Sequence, residues 1–216
     1  AVLASVIDLT EKVDNLVEAV KYVGLRGLRN LLYLQGAQEI LGNESTETKQ
    51  LWDHSYRAAF YAYNLARNLN PKKEMLDDVY VGGILHDMGK IIFSSVHPEL
   101  INKINNFCRD RSIEPEIFED LAAGLNHSEI GAMIAEKWNF PDALVNAIKY
   151  HHTPASAPPE HREVVYAVYL ANAICHYEEG DVGFEQIEPT VLRQFKIVEE
   201  EQLKRILDRL SDALKR

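Results

Sequence analysis

The 216-residue chain contains little cysteine and no long apolar run. Its two cysteines, Cys108 and Cys175, lie far apart and outside any CxxC spacing, so neither a disulfide framework nor a zinc knuckle is indicated. No segment reaches the roughly 18 consecutive apolar residues that a membrane span requires. The N-terminus also lacks the basic-then-apolar order of a signal peptide. We therefore expect a cytoplasmic protein without a membrane partner.

Basic side chains are also in the minority. The chain has 23 Lys and Arg against 33 Asp and Glu, which gives a formal net charge of -10. A broad surface for nucleic acid or anionic lipid requires clustered basic residues, so we expect no nucleic-acid partner. A local basic pocket is still compatible with this charge.

Alternating strand patterns longer than four or five residues are missing, whereas helical periodicity recurs along the chain. The sequence therefore predicts an all-α fold in one domain over residues 1–216, with a core at about 13–178 and a C-terminal helical tail at about 184–216. The predicted helices cover about 13–23, 25–41, 48–69, 74–87, 97–110, 115–123, 126–138, 141–152, 162–178 and 198–215. The proline-rich stretch 153–161 is predicted to be a loop.

Eight histidines are present, and five of them fall on or beside inward-facing helical positions. These five are His54, His86, His127, His151 and His152. In "VGGILHDMGK" (81–90), Asp87 follows His86 directly. Adjacent helical residues point about 100° apart, so this pair can share an ion only where the helix ends, and we expect Gly89 to end it.

Two interpretations of these histidines are open. Several have Gly or Ala neighbours that let helices approach closely, so the rings can meet around a shared ion near Asp87. Imidazole suits Fe, Mn, Zn, Ni or Cu, and an added carboxylate favours the harder of these. Alternatively, each histidine is a hydrogen-bonded core residue, in which case His54→Leu should be tolerated or stabilising. His97, His161 and His176 lie at predicted loops or helix ends and receive no role.

Four segments together resemble a known family. In order along the chain they are "WDHSYRAAFYAYNLA", "GGILHDMGKIIF", "NHSEIGAMIAEKWNFPDALVNAIKYHH" and "VVYAVYLANAI". They are similar to the HDOD family, the output-domain branch of the HD superfamily, from about residue 13 to 175. The resemblance implies an HD-superfamily helical bundle. It also implies that this chain lacks the family's N-terminal helices.

The resemblance further implies a set of site residues. In catalytic HD phosphohydrolases, the metal ligands match His54, His86, Asp87 and a final Asp. Members with two or three metals add the positions of His127, His151 and His152. Asp87 and Lys90 would then be the catalytic residues, and Lys90 and Arg57 would contact a substrate phosphate.

Two carboxylates of that pattern are absent here. Asn172 takes the place of the final Asp, and it would ligate through its amide oxygen without bringing a charge. Gln50 stands where the HD-GYP branch has a Glu, and the "GYP" signature is missing. A loss of negative charge weakens the binding of hard divalent ions more than that of borderline ones. We therefore expect one or two ions of Fe, Mn, Ni or Zn.

The sequence therefore favours a bacterial signal-transduction module of the HDOD type, which binds signalling proteins or a small nucleotide ligand. The alternative is an active metal-dependent phosphohydrolase or phosphodiesterase acting on a nucleotide or cyclic dinucleotide. In that case the metal would lower the pKa of a bound water and hold the phosphate in line for attack.

Overall fold

The computed structural model describes residues 27, 29–39, 42, 46–69, 72–96, 119 and 124–215. These residues are predominantly helical, and no strand occurs among them, which confirms the predicted all-α class. Among the helices in these ranges, none has the length and apolar composition of a membrane span. The predicted helices at 13–23 and 97–110, and all of 115–123 except Glu119, lie outside the described residues.

Two of the α-helices in the described ranges, Met88–Val96 and Pro189–Gln194, have no predicted counterpart, and the others follow the predicted order. In chain order, the α-helices of these ranges are α1 (residues 29–39), α2 (Thr46–Arg67), α3 (Lys73–Leu85), α4 (Met88–Val96), α5 (His127–Lys137), α6 (Asp142–Tyr150), α7 (Arg162–Glu179), α8 (Pro189–Gln194) and α9 (Glu200–Leu214). Short 3-10 helices cover Pro154–Ser156 and Pro159–His161 within the predicted loop, and a third covers Phe184–Gln186.

Helix α7 is the centre of the packing. It is buried along most of its length and contacts α2, α3 and α6. Helices α2 and α3 approach closely where Gly83 faces Ala59, since a Cβ atom at Gly83 would lie 2.6 Å from the Ala59 Cα. In the tail, Leu203 and Leu210 of α9 are buried in the same hydrophobic cluster as α7.

Helix α5 begins with a capping box. The Asn126 side chain accepts a hydrogen bond from the backbone N–H of Glu129 at 3.0 Å, and the Glu129 carboxylate accepts one from the Asn126 N–H at 3.4 Å. Both contacts satisfy backbone groups that a helix start leaves unpaired. The first residue of α5 is therefore His127.

The predicted role of Gly89 is wrong. Helix α3 ends at Leu85 and α4 begins at Met88, so Gly89 lies inside a helix. A Cβ atom at this position would overlap the carbonyl oxygen of His127, because α4 packs directly against the start of α5. Glycine is thus required for a close approach between helices. His86 and Asp87 nevertheless occupy a break between two helices, as a shared site requires.

Candidate metal centre

Asp87 lies at the centre of a buried histidine cluster. Its side chain is 2% exposed, and its two oxygens face different histidines. The Oδ1 atom lies 3.4 Å from the Nε2 atoms of both His127 and His151. The Oδ2 atom lies 3.4 Å from His86 Nε2 and 3.8 Å from His54 Nε2. Side chains from four regions of the sequence therefore converge on one carboxylate.

The cluster on the Oδ1 side, here called the three-histidine group, consists of Asp87, His127, His151 and His152. One ligand atom from each lies within 4.8 Å of all the others. His127 Nε2 is 3.3 Å from His151 Nε2 and 3.2 Å from His152 Nε2. Ligands about 2.0–2.2 Å from a tetrahedral ion are about 3.3–3.6 Å apart. The observed separations are thus compatible with a metal site.

Three of the rings are oriented by hydrogen bonds at their far nitrogen. His86 Nδ1 donates to the Gly83 carbonyl at 2.7 Å, and His151 Nδ1 donates to the Ile148 carbonyl at 2.6 Å. His127 Nδ1 donates to Glu119 Oε2 at 2.7 Å. A neutral imidazole with its proton on Nδ1 has a lone pair on Nε2. The Nε2 lone pairs therefore face the cluster, as metal ligation requires.

Two buried atoms of the cluster have no hydrogen-bond partner. They are His86 Nε2 and Asp87 Oδ1. Buried polar atoms are rarely left unsatisfied, and each exception calls for an explanation such as a bound ion. Both atoms carry lone pairs and face other atoms that carry lone pairs. A cation satisfies such a set, whereas a further hydrogen-bond acceptor does not.

The cluster on the Oδ2 side, here called the His54–His86 group, consists of His54, His86 and Asp87. Their ligand atoms also lie within 4.8 Å of one another. However, Lys90 Nζ donates to Asp87 Oδ2 at 2.9 Å. His54 Nε2 lies 3.0 Å from Asn172 Oδ1, at hydrogen-bond distance. Internal partners thus satisfy His54 Nε2 and Asp87 Oδ2 in this group, whereas His86 Nε2 has none.

Burial keeps several imidazoles neutral. It lowers the pKa of His54 and of His86 to about 3, and the pKa of His151 to about 4. Removal from water disfavours the charged form of a base, which is why these pKa values fall. At neutral pH these rings are therefore in the form that binds metals.

Burial and neighbouring charged or polar groups have opposing effects on the pKa values of Asp87 and His127. Burial alone would raise the pKa of Asp87, but His86, Lys90 and the other histidines hold it well below its usual value. For His127, burial and Lys90 lower the pKa, but the contacts with Asp87 and Glu119 outweigh them and raise it. His127 is thus the most basic ring that faces Asp87 Oδ1.

Arg57 contacts acidic residues of α7. Its guanidinium pairs with Glu179, and its Nη1 atom lies 3.5 Å from Glu178 Oε2. The phosphate-binding role of Arg57 stays a prediction. Gln50 is exposed on α2.

Sequence reasoning missed two residues of this region. Glu119 is 2% exposed and contacts His127, but its spacing gives no signal that separates it from the nearby Glu114 and Glu116. The His176 ring centroid lies 5.2 Å from that of His54. His176 follows Asn172 by one helical turn, and this spacing could have indicated a shared face.

Comparisons with known proteins give a consistent result. The HDOD domain family profile matches residues 4–154, which is most of the chain. An uncharacterized protein of Treponema pallidum (strain Nichols) is 37% identical over 187 residues, which cover 87% of this chain and 36% of that protein. The chain therefore spans about a third of the length of this relative.

Solved structures share the fold. An HDOD domain protein of unknown function from Geobacter sulfurreducens has a TM-score of 0.68 at 22% identity, over 99% of this chain and 78% of that one. A Marinobacter aquaeolei VT8 protein, provisionally described as a signal transduction protein, has a TM-score of 0.70 at 21% identity, over 99% of this chain and 49% of that one. These similarities confirm the HD-type helical fold.

Proposed function

The chain belongs to the HDOD domain family, and on that premise we propose that it is a regulatory signal-transduction module with a divalent transition-metal ion in its buried cluster. The observation that carries this proposal is the convergence of histidine Nε2 atoms on Asp87. Neutral imidazoles whose lone pairs face a carboxylate are a set of ligands that suits a divalent cation. Signalling proteins or a small nucleotide ligand are the proposed partners.

We place one ion in the three-histidine group. His127, His151, His152 and Asp87 would hold it, and the separations among their ligand atoms support this choice. Three imidazoles and one carboxylate suit Fe, Mn, Ni or Zn. When bound, such an ion would offset the charge of the Asp87 carboxylate and fix the three rings in place, as in structural sites where the protein supplies all four ligands.

A regulatory role is favoured over catalysis by the state of the His54–His86 group. Asn172 supplies no charge to it, and the ammonium of Lys90 already neutralises Asp87 Oδ2. His86, His127 and His151 are fully buried. A buried, rigid ligand set supports an ion that stabilises one arrangement of the helices, because ligand binding stabilises the state that binds it.

Elemental analysis of protein purified under anaerobic, reducing conditions tests this proposal. We expect about one transition-metal ion per chain, lost in His151→Ala and retained in His161→Ala. His161 is the matched control because it is also a histidine but lies outside both groups. Wild-type protein that contains no ion, and takes up none on reconstitution, would contradict the metal site.

The regulatory role has its own test. Hydrogen exchange of metal-loaded and metal-free protein should differ in α5 and α6, since the three histidines lie on α5 and directly after α6. If α5 and α6 exchange equally in both forms, the ion does not control the fold around it. The regulatory proposal would then be abandoned even if metal is bound.

A second candidate function is a metal-dependent phosphohydrolase. It is favoured by Lys90, whose side chain is 20% exposed while the Asp87 carboxylate that it contacts is buried. An ammonium in this position is suited to a substrate phosphate. Nucleotides and cyclic dinucleotides should be assayed with Mn- and Fe-reconstituted protein. Turnover that His86→Ala abolishes and Lys90→Met weakens through KM would establish catalysis in place of the regulatory role.

A further inference from the structure

Glu119 makes two hydrogen bonds to a single residue of the cluster. Its Oε2 atom accepts from the backbone N–H of His127 at 2.8 Å and from the ring Nδ1–H of His127 at 2.7 Å. Both residues are buried. Since the acceptor is a carboxylate oxygen, the neutral ring has its proton on Nδ1 and its lone pair on Nε2.

The position of His127 in its helix explains why it needs this partner. His86 and His151 each donate to the carbonyl three residues earlier, within the last turn of the helix that precedes them. His127 is the first residue of α5, so no turn of α5 precedes it. Its backbone N–H also belongs to the first turn, where helical N–H groups have no intrahelical acceptor. Glu119 satisfies both donors, which a backbone carbonyl of α5 cannot do.

Glu119 also differs from the other two acceptors in charge. The Gly83 and Ile148 carbonyls are neutral, whereas a carboxylate brings negative charge to the outer side of the His127 ring. Such a carboxylate fixes the orientation of the ring and increases the basicity of the ligating nitrogen. The His54–His86 group differs in this respect, because the residue that faces His54 is Asn172, a neutral amide.

We propose that Glu119 is a positioning residue that fixes His127 as an Nε2 ligand and strengthens cation binding by the three-histidine group. This inference rests on the proposed function, because it assigns Glu119 a role toward the metal ion. Its first part, the position of the ring proton, is a property of the metal-free protein and can be tested without any ion.

The test uses Glu119→Ala and Glu119→Gln, with Glu129→Gln as the matched control. Glu129 is also a glutamate at the start of α5, but it bonds to Asn126 instead of a histidine. Two quantities are measured: the tautomer of His127 in metal-free protein, by long-range ¹H–¹⁵N NMR, and the Kd for zinc alone, by competition with a chelator. Circular dichroism confirms that each variant is folded.

We expect Glu119→Ala to lose the Nδ1–H signature of His127 and to raise the zinc Kd by about 10- to 100-fold, the usual effect of removing such a partner. Glu119→Gln keeps an amide oxygen as acceptor, so it should retain the tautomer and raise the Kd by less. Glu129→Gln should change neither quantity.

An unchanged tautomer in folded Glu119→Ala, or a zinc Kd within twofold of wild type, would overturn the inference. If Glu119→Ala does not fold, the test rests on Glu119→Gln. An unchanged zinc Kd in that variant would also overturn the inference. If the wild type binds no zinc, the proposed function fails, and the tautomer measurement still determines whether Glu119 positions the ring.

Discussion

His127 Nε2 and Asp87 Oδ1 lie 3.4 Å apart, although one begins α5 and the other lies in the break between α3 and α4. In its neutral form His127 carries its ring proton on Nδ1, toward Glu119, so the Nε2 lone pair faces Asp87 Oδ1. The two meet because Gly89 allows α4 to contact the start of α5. Their separation is that of two ligands of one ion, and several consequences can be measured.

Asp87→Asn should reduce metal binding by both groups. The substitution keeps the shape of the side chain but removes the charge that His127 and His151 face. Loss of a residue that hydrogen-bonds to a metal ligand typically weakens binding by about 10- to 100-fold. Loss of a direct ligand should be more severe, so we expect the zinc Kd to rise by more than about 100-fold. Metal content by elemental analysis and the Kd for zinc check this.

The control for this substitution is Asp53→Asn. Asp53 is an exposed aspartate on α2 and belongs to neither histidine group. Its metal content and Kd should equal those of wild type. Equal Kd values for the Asp87 and Asp53 variants would show that the carboxylate at the centre of the cluster is not a ligand.

Asn172→Asp should increase metal uptake by the His54–His86 group. The new carboxylate would lie about where the amide oxygen is, 3.0 Å from His54 Nε2. Asn172 is 3% exposed, so an uncompensated charge there should destabilise metal-free protein by on the order of 3 kcal/mol. Added metal should restore the melting temperature, and elemental analysis should show a second ion per chain.

The measurement compares Tm with and without zinc for wild type and the Asn172→Asp variant. A variant that loses stability and does not regain it with zinc would contradict a second subsite at His54. A variant with one ion per chain and unchanged Tm would show that Lys90 or a histidine neutralises the introduced carboxylate instead.

Metal-free protein should lose stability as the pH falls from about 6.5 toward 3. Burial lowers the pKa of His86 to about 3 and of His151 to about 4, so the unfolded chain takes up protons first. Each such residue contributes a loss of up to about 1.4 kcal/mol per pH unit inside this window. His127, whose pKa is raised, contributes in the opposite direction, and its stabilisation disappears as the pH rises through that pKa.

Asp87 changes the pH dependence of stability only at the acid end of this range. Its pKa is held below the usual value, so its contribution is complete above about pH 4 and disappears below it. Denaturant titrations of chelator-treated protein between about pH 4.5 and 6.5 therefore isolate the histidines. His86→Leu should reduce the slope against pH, and His161→Leu should leave it unchanged. Parallel slopes for wild type and His86→Leu would show that His86 is not buried in its neutral form.

Gly83→Ala should destabilise the protein. A Cβ at Gly83 would lie 2.6 Å from the Ala59 Cα, a backbone atom that can move only with α2. Overpacking of this kind costs about 1–3 kcal/mol. Gly36→Ala is the control, because Gly36 is helical and a Cβ there would meet nothing within 4 Å. This control should gain about 0.5–1 kcal/mol in stability from helix propensity. Thermal melts should therefore show a lower Tm for Gly83→Ala and a higher Tm for Gly36→Ala.

Much of the fold follows from local patterns. The predicted helices at 48–69, 126–138 and 162–178 agree with α2, α5 and α7 to within about two residues. Periodicity and capping depend on residues within a turn or two of each other, so a sequence contains them directly. The short helix α8 (Pro189–Gln194) was not predicted, because six residues hold too few turns to show a period.

The sequence indicated which histidines lie near Asp87, but it did not indicate the residues that hydrogen-bond to them, such as Glu119. Histidines 54, 86, 127 and 151 do converge with Asp87, as their inward-facing positions indicated. Their roles as metal ligands, and the domain boundaries, stay predictions. The prediction that Gly89 ends a helix was wrong. Glycine is needed there because His127, at the start of α5, packs against it, and this contact between distant parts of the chain leaves no local pattern.

Local sequence was enough to establish that this protein is helical, which faces are apolar and which histidines point inward, because each of these depends on neighbours within about seven residues. Packing between helices was needed to divide the two oxygens of Asp87 between separate histidine groups and to bring Glu119 onto His127. Those contacts depend on how helices meet across the core, and the pattern within any one helix does not specify which side chain it will contact.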